Sequence, residues 1–334
     1  MAMISARRAA RALSTLAVVT CALAGCGIQP QHSANGIPSR TQVVVHTGPG
    51  GGSDVFARQV VKLLRQTSLI DTNWPVLNQT AGSGIGAMSY LRQKRGRDGY
   101  LAAITPTWLI TPLTLADSAV SIGDLQPIAV LLVEPQLMAV RADSPYRSTA
   151  DLIAAARQEP DRLVQVGGSI TATDSLTGKA IQAQTGASWR YLTFADSGQR
   201  IASLLRGDAQ MMIGASSDFD EQVRAGTIRV IAALGDRRVP TFPEVRTLAE
   251  QGLAIANLPE EFRAFVGPPG MSAAELTYYQ GLFRTLVTTP EWTAYASRNG
   301  DLTQYLDQRE FAAFLTTQQA LLSTLVTQLK LGPR

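Results

Sequence analysis

Apolar residues in the body of the chain fall into short β-branched runs. Each run is followed by a turn of small residues and then by a stretch with helical spacing. Residues 42–46 (QVVVH) form the first run, a buried strand by composition. After the turn Gly48-Pro49-Gly50-Gly51-Gly52, apolar Val55, Phe56, Val60, Val61, Leu63 and Leu64 mark one face of a helix. Its N-cap is expected at Ser53 or Asp54. The unit recurs: a strand at 75–78 leads through Ala81-Gly82-Ser83-Gly84-Ile85-Gly86 into a helix containing Met88, Tyr90 and Leu91. A third strand, 100–105, ends in the turn Pro106-Thr107, and the runs PIAVLLV and QLMAV break at Glu134-Pro135. From residue 144 the rhythm restarts, with Ser148 or Thr149 capping a helix. Strands at 163–166, 190–194, 211–213 and 229–234 then alternate with helices at 175–185, 198–206 and 219–225. A proline-bearing loop precedes a helix at 247–251, and the end of the chain reads as three helices, around 273–288, 290–299 and 308–331. Strands alternating with helices predict βαβ units, hence two α/β lobes, each with a mainly parallel sheet.

The first residues follow a different pattern. A basic start with Arg7, Arg8 and Arg11 precedes a small-residue apolar run, 12–24, too short to span a bilayer and fitting the core of a secretory signal. It closes on Leu23-Ala24-Gly25-Cys26, which resembles the lipobox of bacterial lipoproteins. That resemblance makes residues 1–25 a signal peptide and Cys26 the lipidated residue. The alternative is ordinary cleavage after Ala22-Leu23-Ala24, releasing a soluble protein. Residues 26–40 are rich in Gly, Pro, Ser and Asn and read as a flexible tether. The body is then expected outside the cytoplasm, lipid-anchored at a cell membrane, on its periplasmic or outer face.

Composition narrows the chemistry. The 334 residues are 45% apolar and 17% charged. Three of the 30 basic side chains lie in the leader, which leaves 27 against 26 acidic ones in the body and no footprint for nucleic acid. Both cysteines, Cys21 and Cys26, fall in the leader region, so a disulfide framework and a cysteine-ligated metal are excluded. With two histidines, His32 and His46, triad hydrolysis and a histidine-rich metal site lack their residues. Neither a cofactor nor a metal is expected. Gly82-x-Gly84-x-x-Ala87 formally fits the dinucleotide fingerprint, but no acidic residue is convincingly placed about 20 positions on.

The glycine turns themselves carry the remaining signal. First-turn amides of a helix lack intrahelical partners and sit at the positive end of its dipole, which suits a carboxylate or phosphate. Gly50-Gly51-Gly52-Ser53, Gly82-Ser83-Gly84 and Gly168-Ser169-Ile170-Thr171 all offer such ends. In parallel sheets they lie at the strands' carboxyl edge, where ligands bind. The plainer reading is that each turn only lets a strand meet a helix.

A set of motifs resembles one family, the extracytoplasmic solute-binding receptors of tripartite tricarboxylate transporters (TctC or Bug proteins). VVVHTGPGGGSDVFARQVVKLL is similar to its strand, P-G-G-G-T-D turn and helix, and NQTAGSGIGAMSYLRQKRGRDGYLAAIT to its N-x-x-G-A-G-G and D-G-Y segments. VRADSPYRSTADLIAAAR, AGTIRVIAALGDRRVPTFPEVRTLAEQGL and FRAFVGPPGMSAA match the entry, return and P-P-G segments. The similarity runs from about residue 42 to 300.

The resemblance implies a two-lobed periplasmic-binding-protein type II fold (Venus flytrap), with lobe 1 at 41–140 plus 241–334 and lobe 2 at 141–240. It also implies a small di- or tricarboxylate ligand, membrane permease subunits as partners, a monomer and no catalysis. Carried over, the ligand-binding residues are Gly50, Gly51, Gly52, Ser53 and Asp54, then Ala81, Gly82, Ser83 and Gly84. From lobe 2 come Ser169, Ile170, Thr171, Thr173 and Asp174, then Ala195, Asp196, Ser197 and Gly198, with Ser216 and Ser217 beside them. The chain departs from the pattern in having Asp196-Ser197-Gly198 for a glycine triplet, Thr173-Asp174-Ser175 for T-D-H, and Phe262 for a tryptophan. Asp54 and Asp196 either cap helices or meet ligand, and Arg263 is either a charge partner or a brace. Gly51→Asp is expected to abolish binding with the fold intact. The alternatives are a ligand-sensing lipoprotein with a signalling partner and an enzyme on the same scaffold.

Overall fold

Val43 and Val45 face one side of a sheet and Val44 the other, and all three are fully buried, so the first strand lies between two apolar layers. The structure, a computed structural model, describes residues 37–332. The expected signal peptide, Cys26 and most of the tether lie outside those residues. The chain runs β1 (Gln42–Val45), α1 (Gly52–Gln66), β2 (Val76–Asn78), α2 (Ile85–Arg92), β3 (Tyr100–Ile104), α3 (Thr107–Leu113) and β4 (Gln126–Glu134). It continues through β5 (Gln136–Arg141), α4 (Thr149–Gln158), β6 (Val164–Gly167), α5 (Thr173–Thr185), β7 (Arg190–Thr193), α6 (Ser197–Arg206), β8 (Met211–Ala215), α7 (Ser216–Arg224) and β9 (Ile228–Ala233). β10 (Glu261–Gly267), α8 (Ala273–Leu286), α9 (Pro290–Asn299), β11 (Leu302–Leu306) and α10 (Gln308–Gln328) complete it.

Two helix-flanked sheets result, with strand orders β11-β4-β10-β3-β1-β2 and β7-β6-β8-β5-β9. The α/β class and the two sheets agree with the sequence; the mainly parallel character does not. In the first sheet β1 runs parallel to β2 and β3, whereas β10 is antiparallel to β3 and β4, and β11 to β4. In the second, β6 is parallel to β7 and β8, and β5 antiparallel to β8 and β9. The cause is connectivity. A βαβ reading pairs strands through crossover helices, but only Pro135 separates β4 from β5, and β10 returns from the second sheet through a long segment with no helix longer than the 3-10 turn Ala249–Gln251. Strands of the first sheet come from 42–134 and 261–306, and those of the second from 136–233.

Other departures are local. α3 stands where a proline turn was expected: Pro106 occupies its N-cap, where no helical donor is lost, and Pro112 falls in its last turn, one residue before the helix ends. β11 interrupts the helical ending as a half-buried edge strand whose Thr303 and Gln304 disguise it. The expected helix at 247–251 shrinks to that 3-10 turn.

One side chain joins the two halves of the core. Leu176 on α5, a second-sheet helix, is fully buried in the apolar cluster of the first sheet with Met88, Trp108 and Phe311.

Candidate functional site

α1 starts at Gly52, with Gly51 as N-cap, so the helix begins one to two residues before the expected cap residues. Thr47 does the capping work of a distant Asx or Ser: its Oγ1 accepts the Asp54 amide at 3.1 Å. The Gly51 amide donates to the Gly48 carbonyl at 3.0 Å. Asp54 accepts from the Gly50 amide (3.0 Å), Arg58 Nε (2.9 Å) and Asn78 Nδ2 (2.9 Å) and is 3% exposed. Burial alone would raise its pKa, but these three donors and the Arg58 charge outweigh it and hold the carboxyl below the usual range. Asp54 therefore braces the turn from behind. What remains free are the amides of Gly52 and Ser53, which have no partner among the described residues.

Both of those residues line a cleft of about 900 Å³ that takes walls from both sheets. The starts of α1 (Gly52, Ser53), α3 (Thr105, Thr107), α5 (Ala172, Thr173), α6 (Ala195, Ser197) and α7 (Ala215, Ser217) all open into it. Of the residues expected at a ligand, Gly50, Gly52, Ser53, Ser83, Ser169, Thr173, Asp174, Ala195 and Ser197 line this cleft, as does Ser217. Gly51, Asp54, Ala81, Gly82, Gly84, Ile170, Thr171, Asp196, Gly198 and Ser216 are not part of its wall.

The reasons differ from residue to residue. Asp196 accepts the Gln199 amide at 2.9 Å and is the N-cap of α6, which decides between its two readings. Ser216 shares a hydrogen bond with Thr241 Oγ1 at 2.6 Å. Thr171 is 7% exposed and bonded to Thr111 Oγ1 at 3.2 Å, whereas Ile170 is 66% exposed to solvent. Gly82, Ser83 and Gly84 carry positive φ of 61°, 48° and 110°, so this turn is shaped by backbone conformation, and only Ser83 reaches the cleft.

Acids at the helix starts use up part of the expected donor set. Asp174 Oδ2 accepts the Gly168 amide and the Tyr191 hydroxyl, each at 2.9 Å; a Cβ on Gly167 would collide with that carboxylate and that hydroxyl. Burial raises the Asp174 pKa against the pull of these bonds and of Arg200. Asp218 takes the Ala215 amide at 3.1 Å. The amides of Gly50, Gly168 and Ala215 are thus taken by carboxylates of their own turns, while the first-turn amides of Thr173, Ser197 and Ser217, like those of Gly52 and Ser53, keep no partner among the described residues and line the cleft.

Arg263 resolves to a brace on the cleft wall. It forms a bidentate pair with Glu134, at 2.8 and 2.6 Å, and stands 3.6 Å from Glu261 Oε1. A Cβ on Gly52 would lie 3.2 Å from its Nη2, so the guanidinium sits directly under the start of α1. Burial raises the pKa of Glu261 and pushes that of Asp301 up to about 8, with the Glu134 charge adding to both and Arg263 opposing. Both acids therefore bind a proton more readily than a solvent-exposed carboxyl does.

Sequence reasoning passed over His46, Trp108, Glu134 and Asp301. Trp108 Nε1, fully buried, donates to His46 Nδ1 at 2.9 Å across 62 residues, and His46 lines the cleft. Its position at the carboxyl end of β1, immediately before the glycine turn, is the signal that could have found it. Among the described residues no group of three or more His, Cys, Asp or Glu is placed to hold a metal ion, and no helix is long and apolar enough to cross a membrane.

Comparison with known proteins matches residues 54–331 to one family model, described as the tripartite tricarboxylate transporter family receptor. Protein BugT of Bordetella pertussis is 30% identical over 243 residues, 71% of this chain and 73% of BugT. Among solved structures, R. palustris Rpa4515 with adipate superposes with a TM-score of 0.80 at 20% identity, covering 88% of this chain and 98% of that one. MatC from Rhodopseudomonas palustris with bound malate gives 0.75 at 15% identity over 88% and 100%. At those identities the two structures speak for the fold.

Proposed function

The chain belongs to the tripartite tricarboxylate transporter receptor family, and on that premise we propose that it is an extracytoplasmic solute-binding protein that captures a small carboxylate. The observation that carries this reading is the pair of unpartnered amides at Gly52 and Ser53, at the positive end of α1 and on the cleft wall. Ser53 adds a hydroxyl within 3.4 Å of His46 Nδ1, and the start of α5 supplies Thr173 to the same cleft.

The magnitudes suffice without a free arginine. A micromolar receptor needs about 8 kcal/mol. Three or four charge-assisted hydrogen bonds at roughly 1.5–3 kcal/mol each, with about 0.3–2 kcal/mol for a helix end, gross about 5–14 kcal/mol before ordering losses. Adipate in one neighbour and malate in another are ligands of the proposed chemical class.

In this reading the two lobes follow the two sheets, so the expected boundary at 140 moves back to Pro135, because β5 pairs with β8 and β9, and the return to the first lobe falls between β9 and β10. The lobes close on the ligand, and the closed form delivers it to membrane permease subunits without a chemical step. The protein acts as a monomer held at the membrane by a lipid on Cys26. Thermal unfolding against a panel of malate, adipate, a tricarboxylate and a monocarboxylate tests the reading. A ligand at a hundred times its Kd contributes about 2.7 kcal/mol and raises the midpoint. An unchanged midpoint with every member, or a rise matched by sodium chloride, would overturn it.

A further inference from the structure

The imidazole of His46 has two nitrogens with different surroundings. Nδ1 receives the Trp108 indole N–H at 2.9 Å, and an indole nitrogen can only donate. The ring proton must therefore sit on Nε2, which has no hydrogen-bond partner among the described residues. His46 lines the cleft beside Ser53; Trp108 does not line it and is fully buried, with its ring at 83° to the imidazole. We propose that His46, locked by Trp108 as its Nε2–H tautomer, is a ligand-reading residue that donates to a carboxylate oxygen held at the start of α1.

This rests on the proposed carboxylate-binding function and specifies one of its side chains. Burial, with the Arg263 charge adding, lowers the His46 pKa to about 4, so the donor is neutral from pH 5 to 8. A neutral N–H reads the position of an acceptor and gives no purchase to an ammonium group, so the ligand must present an acceptor oxygen at this end. Trp108 is a positioning residue: it fixes which nitrogen donates without touching the ligand.

Nitrogen-15 NMR of the imidazoles tests this in the intact body of the chain. The sequence has only one other histidine, His32, and His46→Gln assigns the signals. The free protein at pH 7 is expected to show an unprotonated Nδ1 and a protonated Nε2 for His46, and titration with malate or adipate is expected to shift Nε2 and its proton. Trp108→Phe should mix the two tautomers and weaken binding about tenfold, the loss of roughly one hydrogen bond. If that variant fails to fold, the wild-type tautomer still decides. A protonated Nδ1, or a mixture, in the wild-type protein overturns the proposal. Saturation by malate or adipate that moves the Gly52 amide and leaves His46 unmoved also overturns it, with the proposed function intact. Failure of every panel member to bind overturns the proposed function and this inference with it.

Discussion

The carboxylate of Asp54 and the amide of Gly50 lie 3.0 Å apart across one turn, and this contact closes the glycine loop onto the helix it precedes. Asp54 also holds Arg58 and Asn78, so removing it frees three donors at once. Asp54→Ala is expected to cost about 3 kcal/mol in urea unfolding, near the usual loss from breaking a buried, charge-assisted cluster. The sign with pH follows from its lowered pKa. Its contribution is fully present above the unfolded carboxylate range and is lost as pH falls through the depressed native value.

Two glycines of the same loop separate space from conformation. A Cβ on Gly48 meets nothing within 4 Å, whereas one on Gly51 falls 2.6 Å from Thr47 Cβ and 2.9 Å from the Oγ1 that caps Asp54. Gly48→Ala should change stability by less than about 0.5 kcal/mol and Gly51→Ala should cost about 1–3 kcal/mol, read from thermal midpoints. The same crowding corrects the expectation that Gly51→Asp leaves the fold intact: the larger side chain displaces Thr47, so loss of binding there would report on the turn as well as on charge.

Asp301 gives a pH test with the opposite sign. Its carboxyl, 9% exposed, is pushed up to about 8, largely by burial. The native state then keeps a proton that the unfolded chain releases above pH 4, so this group's contribution to stability falls as pH rises from about 4 to about 8. Asp301→Asn removes that dependence. Relative to wild type it should gain about 3–4 kcal/mol on going from pH 5 to pH 8, measured by denaturant titration at both values.

Leu176 ties α5 to the apolar cluster of the first sheet, close to where Thr111 and Thr171 share a 3.2 Å hydrogen bond. If the lobes part without ligand, this contact belongs to the closed form, and truncating it is charged to binding. Leu176→Ala should weaken malate or adipate binding more than tenfold by calorimetry, since truncating a buried leucine costs about 2–5 kcal/mol, while the ligand-free midpoint moves little. A large drop in that midpoint with unchanged affinity would place the contact in both forms.

Strands β1, β3, β4 and β5 and the capped helices were legible because each is a local pattern: a β-branched run, a glycine turn, an amphipathic stretch. Strand direction was not, since β10 pairs with β3 and β4 at a distance of more than 120 residues, and no local signal records it. The site divides in the same way. That a helix opens directly after the glycine turn could be read from spacing, although its N-cap, Gly51, lies two to three residues before the expected Ser53 or Asp54. That Asp54, Asp174, Asp196 and Asp218 each take an amide near their own helix start was half visible, since acids recur at those starts. The pairs His46–Trp108 and Arg263–Glu134, 62 and 129 residues apart, exist only once both sheets have formed.

Where a bound acid lies is decisive. The most direct measurement is a crystal structure of the protein saturated with malate or adipate. The expected result is a carboxylate oxygen within hydrogen-bonding distance of the Gly52 and Ser53 amides, in the cleft between the starts of α1 and α5. A ligand seated instead in the outer groove along Arg58, Lys62 and Arg65, with those two amides still unpaired, would contradict it.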